Sequence, residues 1–274
     1  QEFQKQKNLL KDYFDKEPNQ EIHPDEAVGV GAAIQAAALN QKLDQELLLI
    51  DVTPLTLGVE TVGGLMTPII ERNSFIPTRQ TKTFSTMSDF QQYVNISIYE
   101  GERALVQDNN LLGQFQLTNL PEKPRGQVQI DVSFEIDMNG ILVVKASEKT
   151  SGIENEIVIT NDRNRLSEED IQKLIHEAKE HKYDDLKQRE LELSKNSLRE
   201  TIMSLEDLLD EQKEDNIIRL VGERDKDQIE EMISLANEWL DEIDDTEDIQ
   251  NKFLEVSAFC KNIKMQYNTR QKEE

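Results

Sequence analysis

The sequence predicts an α+β, multidomain chain: a short helical segment, then an antiparallel β-sandwich, then an all-α bundle. Three observations carry this. All seven prolines lie at or before Pro124, and after Gly152 the only glycine is Gly222. Both residue types interrupt helices, so the C-terminal part can be almost continuously helical and the first half cannot. Apolar residues alternate with period two through the middle of the chain and recur every three to four residues from Leu166 onward.

Residues 1–41 read as helix, loop, helix. Pro24-Asp25-Glu26 places proline and acids where a helix begins, and Ala27 to Ala38 is alanine-rich. The connector 42–51 contains Leu47, Leu48, Leu49 and Ile50 between Glu46 and Asp51. That run is too short to span a membrane. Spacing alone leaves two readings for it, a buried core strand or an apolar segment that docks elsewhere.

Residues 52–160 read as antiparallel strands. Val128, Ile130, Val132, Phe134 and Ile136 alternate strictly with polar partners, which predicts a strand with one wet face. Asn139-Gly140 follows as a two-residue hairpin turn, and Ile141 to Ala146 returns. Gly63-Gly64 is a second turn, and Val94, Ile96 and Ile98 mark another strand. Short strands at this spacing predict a sandwich.

Residues 161–274 read as helices. Ser167 is the expected N-cap, with Asp170 at the third helical position. Three apolar stripes seek partners: Leu198, Ile202, Leu205 and Leu209; Ile229, Met232, Ile233, Ala236 and Leu240; and Ile249, Phe253, Val256, Cys260 and Ile263.

The net charge of −24 argues against binding a nucleic-acid backbone or an anionic membrane surface. From Leu166 onward there are 31 acids and 16 bases, so −15 of the −24 lies there, as on a solvated bundle exterior. One cysteine, Cys260, excludes an internal disulfide framework and fits a core stripe better than a nucleophile. The chain opens on Gln1 inside a polar, helix-like run, which predicts a fragment.

No catalytic constellation emerges. His176 and His181 are five apart, which is not same-face spacing for a helical metal site, and His23 stands alone. Gly29-Val30-Gly31 is half a dinucleotide fingerprint with no preceding strand. Asn95-Ile96-Ser97 matches a glycosylation acceptor but falls inside an expected strand. An acidic bundle, a sandwich and an apolar connector favour binding over catalysis.

The run Asp51-Val52-Thr53-Pro54-Leu55-Thr56-Leu57-Gly58-Val59-Glu60-Thr61 resembles the interdomain linker and first strand of the seventy-kilodalton heat-shock chaperones. Further blocks agree in order: Glu71-Arg72-Asn73, Ile76-Pro77-Thr78, Phe84-Ser85-Thr86, Tyr99-Glu100-Gly101-Glu102-Arg103 and Pro124-Arg125-Gly126. Phe134-Glu135-Ile136-Asp137 with Asn139-Gly140-Ile141-Leu142 continues the series. Thr160-Asn161-Asp162 looks like the eukaryotic version. Pro24-Asp25-Glu26-Ala27-Val28 with Gly31-Ala32-Ala33 looks like the end of the family's ATPase domain.

The resemblance implies a remnant of an ATPase domain at 1–41, an interdomain linker at 42–51, a peptide-binding sandwich at 52–160 and a helical lid at 161–274. It implies a chaperone that holds extended apolar segments of unfolded proteins, with J-domain cochaperones and nucleotide-exchange factors as partners and a cytoplasmic or endoplasmic-reticulum location. ATP with magnesium would act in the full-length protein. No cofactor and no ATPase activity are expected of this chain alone, since only Asp25 falls near the family's adenosine site.

By the same resemblance, Val94 matches the central pocket residue, and Val59, Phe84, Ile96 and Ile130 match its walls. Thr61, Ser85 and Gln91 match positions that bond the peptide main chain, and Val62 and Met87 match the two arch residues. Arg125 matches the arginine that latches the lid, but the expected acid falls at Arg199. Two facing arginines repel, so the expected pairs are Arg199 with Asp89 and Arg125 with Glu200. The competing readings are a nucleotide-exchange and holdase relative, usually marked by a long acidic insertion in the sandwich, a working ATPase, and a helical scaffold without peptide affinity.

Overall fold

The structure is a computed structural model that describes residues 2–17, 22–39, 51–160, 166–210 and 223–270. The chain divides into two compact units, 1–51 and 52–274. The described residues combine antiparallel sheets with six α-helices.

The first unit contains α1 (Glu2–Phe14) and α2 (Pro24–Leu39). Proline opens α2 and Asp25 and Glu26 occupy its first turn, as expected where the helix dipole favours acids. Connector residues Leu47, Leu48, Leu49 and Ile50 lie outside the described residues.

At the boundary of the second unit is a short pair, β1 (Asp51–Val52) beside β4 (Phe75–Ile76). One four-stranded sheet runs β3 (Leu65–Ile70), β2 (Leu57–Thr61), β6 (Tyr93–Glu100), β7 (Asn110–Thr118). The other runs β10 (Glu154–Ile159), β9 (Leu142–Glu148), β8 (Gln129–Ile136), β5 (Thr78–Ser85). The inward residues of both form one core. Ile96, Ile98 and Leu117 from one sheet meet Val132, Phe134 and Val144 from the other. Period-two alternation dictates this in β8 and β9, which hide one face, whereas β2 and β3 bury consecutive residues.

The edges of the two sheets are drawn together. The Asn155 side chain donates to the Gln116 carbonyl at 2.8 Å, and Lys82 donates to the Pro68 carbonyl at 2.5 Å. Gly113 is where β7 meets β10. A Cβ there would sit 3.1 Å from the Ile157 side chain. Residues Asp137 to Ile141 depart from the expected two-residue hairpin. The Asp137 N–H donates to the Ile141 carbonyl, while the Gly140 N–H returns to the Asp137 carbonyl. That makes a three-residue loop closed by Gly140 at φ 76°. The Asp137 carboxylate sets the choice by accepting from the N–H groups of Asn139 and Ile141, each at 2.8 Å.

Helices follow. Ser167 caps α3 (Glu168–Glu180) as expected: its hydroxyl accepts from the Asp170 N–H at 3.1 Å, and the Asp170 carboxylate accepts from the Ser167 N–H at 3.1 Å. His181 separates α3 from the long α4 (Lys182–Leu209). Helices α5 (Glu223–Glu242) and α6 (Thr246–Arg270) pack on the distal half of α4. Their shared core comprises Leu198, Ile202, Leu205, Ile229, Ala236, Ile249 and Val256. The three expected stripes thus meet one another. Leu208, which lay off the expected stripe, is also buried.

Candidate peptide-binding site

Hydrophobic alternation positions the expected pocket. Val59 on β2, Ile96 on β6 and Ile130 on β8 are buried in the sandwich core. Phe84 on β5 and Val94 on β6 pack against that core but stay half-buried, which leaves them an accessible side. Val62 and Met87 are 40% and 53% exposed, one after each of β2 and β5.

Polar groups brace the surrounding turns. The Thr61 hydroxyl donates to the Leu65 carbonyl at 3.2 Å and lies 2.9 Å from the Thr67 hydroxyl. The Gln91 side chain accepts from the N–H groups of Met87 and Ser88 at 3.2 and 3.3 Å and donates to the Tyr93 carbonyl at 2.8 Å. It therefore ties the start of the β5–β6 loop to the start of β6. Ser85, at the end of β5, is exposed. The Phe90 N–H donates to the Lys123 carbonyl at 2.9 Å.

Helix α4 is fastened to the sandwich at three places. Arg103 donates from Nε and Nη2 to the Asp185 carboxylate at 2.8 and 3.1 Å, and those bonds push the guanidinium pKa further up. Both side chains are largely buried, at 18% and 12% exposure. The Asn196 amide donates to the Val62 carbonyl at 3.1 Å. Beside it, a Cβ on Gly63 would press the end of the Glu192 side chain at 2.5 Å. Arg125 donates to the Asp207 carboxylate at 2.5 Å.

The last of these differs from the expected latch. Arg125 meets Asp207 and not Glu200. Arg199 turns along its own helix to Asn196 at 2.5 Å and Glu192 at 3.8 Å. Asp89 accepts from the Arg125 N–H at 2.9 Å and so orients the loop that carries the arginine. The Glu200 carbonyl accepts from the Ser204 hydroxyl within α4. The physical reason is periodicity. Positions 199 and 207 are two turns apart on one helix face, so an acid at either can face the same side. Asp207 and Asp185 are the functional candidates that sequence reasoning missed. Their only signal was a helical phase shared with Asn196.

Asp25 and the glycines of α2 form no nucleotide cradle among the described residues. The Asp25 side chain is 90% exposed. Gly29 and Gly31 lie within α2 with open space where a Cβ would stand, so they line no cradle. Among the described residues no group of His, Cys, Asp and Glu could hold a metal ion. None of their helices is long and apolar enough to cross a membrane.

Comparisons with known proteins agree with one another. A family model described as Hsp70 protein matches residues 5–269. The chain is 48% identical over 237 residues to a heat shock 70 kDa protein of Penicillium citrinum, covering 85% of this chain and 46% of that protein. It is 44% identical over 266 residues to a heat shock 70 kDa protein of Neurospora crassa, covering 94% of this chain and 41% of that one. Heat shock cognate 70 kDa protein 3 of Dictyostelium discoideum is 47% identical over 241 residues, covering 86% and 38%. The chain therefore spans less than half the length of these relatives.

Proposed function

The chain belongs to the Hsp70 family, and from that premise we propose that it is the client-holding part of such a chaperone. In this reading residues 52–160 are the peptide-binding domain and 161–274 the lid. Residues 42–51 are the interdomain linker, and 1–41 are the end of an ATPase domain. The client is an extended apolar segment of an unfolded protein. In the whole protein, ATP with magnesium, J-domain cochaperones and nucleotide-exchange factors would govern capture and release. The compartment that goes with this reading is the cytoplasm.

The observation that carries it is the placement of α4. The helix is bonded beside Val62 and to the loop that follows Lys123, while Phe84 and Val94 are half-buried and Val62 and Met87 are exposed. An extended peptide offers main-chain groups at every residue, so a groove can hold many sequences and select by one apolar pocket. Burying one leucine side chain contributes about 2–3 kcal/mol. About five main-chain hydrogen bonds add about 1 kcal/mol each. The sum of about 8 kcal/mol, before ordering costs, corresponds to affinities of about micromolar or weaker.

The test is fluorescence anisotropy with a leucine-rich heptapeptide, comparing the wild type with Val94→Phe. The added ring fills the pocket and abolishes binding if the assignment is right. Persistent binding by a folded Val94→Phe protein refutes it.

A further inference from the structure

A concavity of about 190 Å³ lies between β3, the Gly101–Ala104 segment and the α3–α4 junction. Its floor is aliphatic, from Met66, Pro68, Ala104 and Ala178, and Leu186 on its rim is 58% exposed. Lys182 and Arg189 stand on the same rim. Residues 182, 186 and 189 are four and three apart on α4 and so share one face.

The acids around this concavity are already engaged. Asp185 takes both bonds from Arg103, and the Glu102 carboxylate accepts from the Thr56 N–H at 2.8 Å and the Thr56 hydroxyl at 3.1 Å. Lys182 and Arg189 have no side-chain partner among the described residues. The lining carries three cations and two acids, a local excess of positive charge on a protein of net charge −24.

We propose that this concavity binds a small amphiphilic monoanion, a carboxylate on a short aliphatic or aryl body. The Arg189 fork matches carboxylate geometry, and Lys182 adds a point charge. The apolar body covers Leu186 and fills the floor. An apolar cavity of about 150 Å³ suffices for a benzene-sized ring, so one ring with a short arm fits here. The bound molecule touches the sandwich and both helices at once, and therefore stabilises their junction. None of this depends on the peptide reading above.

The test uses 3-phenylpropionate and the methionine methyl spectrum of the full chain, labelled with carbon-13. Met66 lines the concavity, whereas Met87 marks the proposed groove. A saturable shift at Met66 with none at Met87 is the expected result. The neutral 3-phenylpropanamide should bind about tenfold or more weakly, as should the carboxylate to Lys182→Gln or Arg189→Gln. Leu186→Glu, an exposed change that leaves the core intact, should remove binding. No saturable shift at Met66, a shift at Met87 in its place, or equal binding of acid and amide would each overturn the proposal. So would unchanged binding in all three variants.

Discussion

The guanidinium of Arg125 lies 2.5 Å from the carboxylate of Asp207, two helical turns beyond Arg199 on α4. A cation on the sandwich thus finds its acid farther along the helix than the matched position. Both side chains are about three-quarters buried, at 22% and 27% exposure. The pair is therefore screened less than a surface ion pair.

Removing that acid should loosen the hold of α4 on the sandwich and, on the proposed function, speed the release of peptide. Asp207→Ala is expected to release a labelled heptapeptide about threefold to tenfold faster, a loss of about 1 kcal/mol. The double swap Arg125→Asp with Asp207→Arg should restore much of the rate. Stopped-flow dissociation reads both. Identical off-rates in Asp207→Ala and wild type would show that the pair does not latch.

The Arg103–Asp185 pair fastens the other end of α4, with two bonds and greater burial. Asp185→Ala leaves the guanidinium without its main partner and should cost about 2–3 kcal/mol, below the range for a fully buried pair. Hydrogen exchange should quicken in α3 and the first turns of α4 while β8 and β9 keep their protection. Uniform loss of protection would mean that the pair supports the whole unit and not this junction.

Glu148 predicts an acid-sensitive step. Burial alone would raise its pKa, but the Ser151 hydroxyl, the Ser151 N–H and the Thr150 N–H hold it down to about 2, from an ordinary 4.5. A depressed folded-state pKa contributes stability that is full above the unfolded value and lost as pH falls through the folded one. The loss should fall between pH 4.5 and about 2 and reach at most about 3 kcal/mol. Urea unfolding of Glu148→Gln should show a shallower decline across that window. Parallel curves for the two proteins would sink the assignment.

Leu205 is fully buried where α4 meets α5 and α6. Leu205→Ala removes three carbons and leaves a cavity, which should cost about 2–5 kcal/mol. Calorimetry should show the bundle melting earlier while near-ultraviolet signals from the sandwich tyrosines Tyr93 and Tyr99 persist. A cost under about 1 kcal/mol would mean that the helices close around the gap.

The sandwich was legible because its strands obey a rule that acts residue by residue. Val128 to Ile136 must alternate if one face is dry, and both the strand and its core face followed from that. Ser167 was legible because a hydroxyl followed three residues later by an acid reports a helix start. The hairpin at Asn139-Gly140 was misjudged by length, because Asp137 captures two N–H groups and pulls the loop open. The partner of Arg125 was illegible for another reason. Periodicity says which residues share a face, but not how far along that face a side chain from another layer will land.

Helix α4 carries two sets of contacts on one rod. Asp185, Glu192, Asn196 and Asp207 turn to the sandwich, while Leu198, Ile202, Leu205 and Leu208 turn to α5 and α6. The two sets stay in register only because the count of residues between them is fixed. One residue inserted between Asp185 and Leu198 would rotate everything beyond it by about 100°. The bundle would survive intact, yet it would meet the sandwich at the wrong azimuth. Substitutions change the strength of individual contacts on this helix, but only an insertion or deletion changes the angle between its two sets.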